Sequence, residues 1–221
     1  MIKTLIKNLW WRLFPQHALN RKAYARLIQR QSSYLHVSGW METLRTRRPV
    51  DEDGETVPWM NYPVIHFLKN RLNSTLCLFE YGSGNSTEFF AKRVSSVTSV
   101  EHDQLWFNRV AEWVPDNATV LFRTEDVDGQ YCRAILETGK SFDVVVVDGR
   151  DRDNCLLHAV KALTPRGVIV LDDSQRPEYV AAIKLMTDAG FEELQFQGLK
   201  PLGTGSDRTS IFYRHKNCLN I

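Results

Sequence analysis

The chain has 221 residues, 43% of them hydrophobic and 24% charged, with a formal net charge of +2. These values suit one soluble α/β domain that buries a sizeable core and carries an extension. No run approaches the roughly 20 apolar residues that cross a bilayer, which excludes a membrane span.

The first residues lack the apolar core and small-residue cleavage site of a secretory signal, so a retained N-terminus and a cytoplasmic protein are expected. Cys77, Cys132, Cys155 and Cys218 form no C-x-x-C pair. They read as small core hydrophobes, not as zinc ligands or disulfide partners. Charge is unevenly spread: residues 1–48 hold ten Lys or Arg against the single acid Glu42, and the remainder is net acidic. Ile2, Leu5, Ile6, Leu9, Trp10 and Leu13 form an amphipathic stripe, with Lys3, Lys7 and Arg12 opposite. This predicts a basic helix ending at Pro15, suited to an anionic membrane surface, a partner subunit or RNA, nucleic acid being the weaker reading. The membrane alternative places the protein peripherally at the inner membrane face. A second helix is expected over 20–34, then irregular chain to a helix running from Pro63 to about Leu72.

From there strands and helices alternate. The pattern predicts strands over 76–81, 97–100, 118–122, 142–147 and 168–171, and helices over 86–93, 104–113, 154–163 and 177–189. Phe142–Val147 ends in four consecutive valines, as suits a strand buried on both faces. Two closing strands, 191–197 and 209–214, follow one another without a helix and so predict an antiparallel hairpin. The expected fold is α/β: a doubly wound, Rossmann-like, mostly parallel seven-stranded sheet with that C-terminal hairpin, plus an N-terminal helical extension.

Ligands of such sheets bind beyond the carboxyl ends of the strands. There the chain places Glu80, then Gly82, Ser83 and Gly84, with Ser86 opening the helix behind them. Glu101 ends the next strand, where a carboxylate accepts ribose hydroxyls, and His102 adjoins it. A dinucleotide fingerprint needs a third glycine, which this loop lacks, and Glu80 sits poorly beside a pyrophosphate. An acid there suits a cationic amino group.

The run Glu80 to Gly84, the Glu101-His102-Asp103 tip, the strand ending at Asp148 and the final hairpin resemble the class I S-adenosylmethionine-dependent methyltransferases, bacterial members included. The resemblance spans residues 62–215. It implies that Glu80, Gly82 and Gly84 bracket the methionine moiety, that Glu101 holds the ribose, and that Glu125 or Asp126 lies near the adenine. It divides the chain into a basic helical extension with an aromatic lid segment (1–60, with Trp40 and Trp59) and a methyltransferase domain (61–221).

Asp148, Asp172 and Asp173 end neighbouring strands, and carboxylates so placed suggest Mg2+ bound through oxygen, similar to catechol-type O-methyltransferases. Without metal, Asp148 is the candidate general base for an acceptor hydroxyl. No Asn/Asp-Pro-Pro-aromatic run follows the fourth strand. The expected acceptor is therefore a hydroxyl oxygen of a small molecule or glycan. The rival readings are an NAD(P)-dependent oxidoreductase and a non-catalytic membrane-associated module that retains the cofactor fold.

Overall fold

The computed structural model describes Trp10, Leu13 and residues 15–221. The basic helix expected over residues 2–14 lies outside the described residues, Trp10 and Leu13 excepted. The chain divides into two units, one ending at Glu55 and one beginning at Thr56. The first holds α1 (Pro15–Gln29), α2 (Tyr34–Val37) and α3 (Trp40–Thr46). Helix α1 begins where a helix end is expected, and α2 and α3 occupy chain expected to be irregular. Thr43 organises this unit: its hydroxyl donates to Val50 O and accepts from Val50 N–H. Among the described residues no helix is long and apolar enough to cross a membrane.

The second unit opens with α4 (Tyr62–Arg71). Asn61 caps it by accepting from Val64 N–H, and Pro63 fits the first turn, where its missing N–H costs nothing. The chain then runs β1 (Cys77–Tyr81), α5 (Asn85–Ala91), β2 (Ser96–Glu101), α6 (Gln104–Ala111), β3 (Ala118–Phe122), α7 (Gln130–Glu137), β4 (Phe142–Val147), α8 (Arg152–Lys161), β5 (Leu163–Leu171), a 3-10 turn (Pro177–Tyr179), α9 (Val180–Asp188), β6 (Glu192–Gly198) and β7 (Asp207–Tyr213). The sheet order is β3-β2-β1-β4-β5-β7-β6, with every pairing parallel except those made by β7. The doubly wound sheet and its closing hairpin are as the alternation predicts.

In this unit α7, between β3 and β4, stands where no element is expected. β5 also starts five residues early: Leu163 pairs with Phe142 and Val168 with Val144, so the residues between them bulge from the ladder. Asp143 braces the bulge, accepting from Thr164 Oγ1 at 2.9 Å and from Cys77 N–H at 2.9 Å. Burial explains the valines of β4: Val144 to Val147 are fully inaccessible, covered on one face by Tyr131, Ile135 and Leu156 of α7 and α8.

Candidate functional site

The carboxyl ends of β1, β2 and β4 open into a cleft of about 970 Å³, within the size of small-molecule sites. The turn after β1 forms its floor. Gly82 (φ 103°) and Gly84 (φ 143°) adopt backbone that side chains avoid. A Cβ on Gly82 would lie 3.2 Å from Asp148 O, and one on Gly84 3.2 Å from the Trp106 ring. Trp106 further fixes the turn by donating from Nε1 to Ser83 O at 2.9 Å.

Glu80 is 1% exposed. Its Oε2 accepts from Thr87 Oγ1 and Ser99 Oγ, both at 2.8 Å, and Thr87 Oγ1 in turn accepts from Gly84 N–H. The acid thus holds the glycine turn from beneath. Burial pushes its pKa up to about 7; the Ser86, Thr87 and Ser99 hydroxyls restrain that rise, and nearby Glu101 adds to it.

Glu101 is 4% exposed and lines the same cleft. Ser83 Oγ donates to its Oε2 at 2.9 Å, while His102 and Asp103 N–H donate to Oε1. The glycine turn and the β2 tip are therefore locked together. His102 lines the cleft and packs edge-on against the Tyr131 ring. After β3 it is Glu125 that faces the cleft, with Oε2 3.8 Å from His102 Nε2 and from Arg150 Nε. Asp126 is exposed and does not line the cleft; it stands in the turn before α7, where its carbonyl accepts from Gly129 N–H.

The three acids expected to hold a metal ion lie close together, but cations of the chain already occupy them. Asp172 is fully buried; Oδ1 accepts from Thr209 Oγ1 at 2.7 Å and Oδ2 from Lys200 Nζ at 2.6 Å. Lys200 also bonds Asp173, whose other oxygen takes Arg176. Asp148 accepts from Arg152 Nη2 at 2.9 Å. Burial raises the Asp173 pKa, yet Lys200, Arg152 and Arg176 together hold it below the ordinary value. These residues do not fit Mg2+: Lys200 and Arg152 supply the positive charge that an ion would bring, and they use the oxygens it would need. Asp148, 22% exposed, is the acid of the three that lines the cleft. Burial and the neighbouring Asp172 carboxylate drive its pKa upward, against Arg152 and Lys200.

No protein-family model matches the chain, and no curated protein matches it. Solved structures do. A precorrin-6y C5,15-methyltransferase from Geobacter metallireducens superposes with a TM-score of 0.51 at 14% identity, over 69% of this chain and 87% of that one. The O-methyltransferase TomG from Streptomyces achromogenes, in complex with SAM, gives 0.51 at 18%, over 67% and 76%. The chain has the class I methyltransferase fold.

Within this fold Glu80, Gly82, Ser83, Gly84, Ser86, Glu101, His102 and Asp148, all expected at the site, line one cleft. Trp106, which pins the glycine turn, and Thr87, which links Glu80 to that turn, are not among the residues expected there. Nor is Lys200, the cation that neutralises the β5 tip. For Thr87 and Trp106 a signal existed: both stand in the first turns of helices that start at the predicted strand tips.

Proposed function

We propose that this protein is an S-adenosylmethionine-dependent methyltransferase acting on a hydroxyl oxygen of a small molecule or glycan. The observation that carries the reading is the coupling of Glu101 to the glycine turn through Ser83, which sets a buried carboxylate beside a side-chain-free cradle at the strand tips of this fold. Glu101 would hold the ribose hydroxyls, while Gly82 and Gly84 admit the methionine moiety. Glu80, beneath the turn, would supply negative potential for its amino group on ionising, which the bound cation favours. S-adenosylmethionine, when bound, supplies an electrophilic methyl group.

The chain's own work is positioning and proton transfer. Asp148, at the cleft surface with an elevated pKa, would take the acceptor hydroxyl's proton, and Arg152 keeps its carboxylate oriented. Half-exposed Trp59 and the partly buried Tyr179 line the same cleft and offer aromatic surfaces for an acceptor. Oxygen as the acceptor atom is supported by this general base and by the missing Asn/Asp-Pro-Pro-aromatic run after β4.

Calorimetric titration of the full chain with S-adenosylmethionine, S-adenosylhomocysteine and NAD tests the reading. The first two are expected to bind and NAD is not. Binding of NAD alone would favour an oxidoreductase and defeat the proposal.

A further inference from the structure

Away from the cleft, α7 and α8 bring together three side chains that the sequence separates. Asp128 precedes α7, Cys132 lies in its first turn, and His158 lies in the last turn of α8. One ligand atom from each falls within 4.8 Å of the others. His158 Nε2 is 2.7 Å from Asp128 Oδ1, and Cys132 Sγ is 3.7 Å from the same oxygen. Cys132 is fully buried and His158 is 8% exposed, whereas Asp128 reaches solvent. None of the three lines the cofactor cleft.

We propose that Asp128, Cys132 and His158 form a binding site for one transition-metal ion of the zinc class. Thiolate, imidazole and carboxylate together are the donor set such ions select. Ligands of a tetrahedral zinc ion, at bond lengths of about 2.0–2.3 Å, stand roughly 3.3–3.5 Å apart. The sulfur–oxygen pair is already near that spacing, and the nitrogen–oxygen pair needs to open by roughly half an ångström. The His158–Asp128 hydrogen bond is then exchanged for two bonds to the ion.

Two surrounding features favour an ion. Arg133 holds Asp128 from the solvent side, Nη2 to Oδ2 at 2.7 Å and, more loosely, Nε to Oδ1 at 3.4 Å, and so orients the carboxylate as an outer-shell partner does. The Asp151 carboxylate lies beside the Cys132 thiol and accepts from Asp128 N–H at 2.9 Å. Once an ion displaces its proton, Cys132 would join the Asp128 and Asp151 carboxylates in a group whose negative charge a dication offsets alongside Arg133. Asp128 and Asp151 both hold left-handed backbone (φ 46° and 45°) to present these carboxylates. Binding through Nε2 sends the Cys132 proton to solvent and moves the His158 proton to Nδ1, which is buried and has no acceptor among the described residues, a cost the metal bonds must exceed. Since Asp151 starts α8 and also lines the cleft, the ion would brace the cleft wall from behind.

Cobalt titration of the untagged, chelator-treated full chain tests this independently of methyl transfer. One equivalent of Co2+ is expected to produce a sulfur-to-cobalt charge-transfer band with tetrahedral visible bands. Cys132→Ser should abolish the charge-transfer band, and Cys77→Ser should leave it intact. His158→Asn should weaken binding at least tenfold. One equivalent of Zn2+ should raise the melting temperature of the wild-type chain by several degrees, and should not raise that of His158→Asn. Absence of a saturable one-to-one band in the wild-type chain, or its survival in Cys132→Ser, would overturn the proposal and leave the cluster a hydrogen-bonded clamp between two helices.

Discussion

Glu80 shows how one residue serves both fold and site. Its carboxyl is enclosed, so the folded chain keeps a proton up to about pH 7, whereas an exposed glutamate releases it near 4.5. Between those values the folded state binds more protons than the unfolded state. The stabilisation is therefore complete below about pH 4.5 and is lost as the pH rises through about 7, to the extent of roughly 3 kcal/mol. Urea unfolding of wild type and Glu80→Gln between pH 5 and pH 8 should show this fall in the first and not in the second. Equal slopes would place the titration elsewhere. Glu80 was legible as a site residue because it stands before a glycine turn. Its deep burial was not, because that depends on Ser99 of the next strand and Thr87 of the following helix.

At the scale of elements, strong patterns were read correctly and weak ones were not. Strands β3 and β4 fall where the sequence places them, since β-branched runs bounded by polar residues admit few other readings. Helix α7 escaped because Gly129 gives it no side-chain cap and its first turn holds no acid, although Tyr131, Cys132, Ala134 and Ile135 form a buried face. Asn61 falls in chain expected to be irregular. It caps α4 and also donates from Nδ2 to Thr209 Oγ1 at 2.8 Å and to Phe196 O at 3.2 Å, tying that helix to both strands of the closing hairpin. Asn61→Ala removes the cap and leaves buried groups unpaired, at a cost of about 2–3 kcal/mol. The melting temperature should drop by roughly 5–10 °C, and a drop under 1 °C would contradict this role.

For the whole molecule, the parallel strands and the antiparallel edge meet electrically at Lys200. It joins Asp172 and Asp173 across 28 and 27 residues of chain, a pairing without local signature. That distance is why the acidic tips read as a metal site: the sequence displays the acids together and keeps their cations apart. Lys200→Met strands buried negative charge and should cost about 3–5 kcal/mol, seen as a lower urea midpoint. Adding Asp172→Asn should recover part of the loss. The same separation limits any reading of the acceptor from sequence, since Trp59, Asp148, Arg176 and Tyr179 reach the cleft from distant segments. The cofactor side is more legible because Glu80 to Ser86 is continuous and Glu101 closes the adjoining strand. The central claim is that this side holds S-adenosylmethionine through Glu101. Calorimetry of S-adenosylhomocysteine with wild type and Glu101→Ala tests it most directly. The variant should bind roughly 10- to 100-fold more weakly with its fold intact by circular dichroism. No binding to the wild type, or equal affinity in both, would contradict the claim.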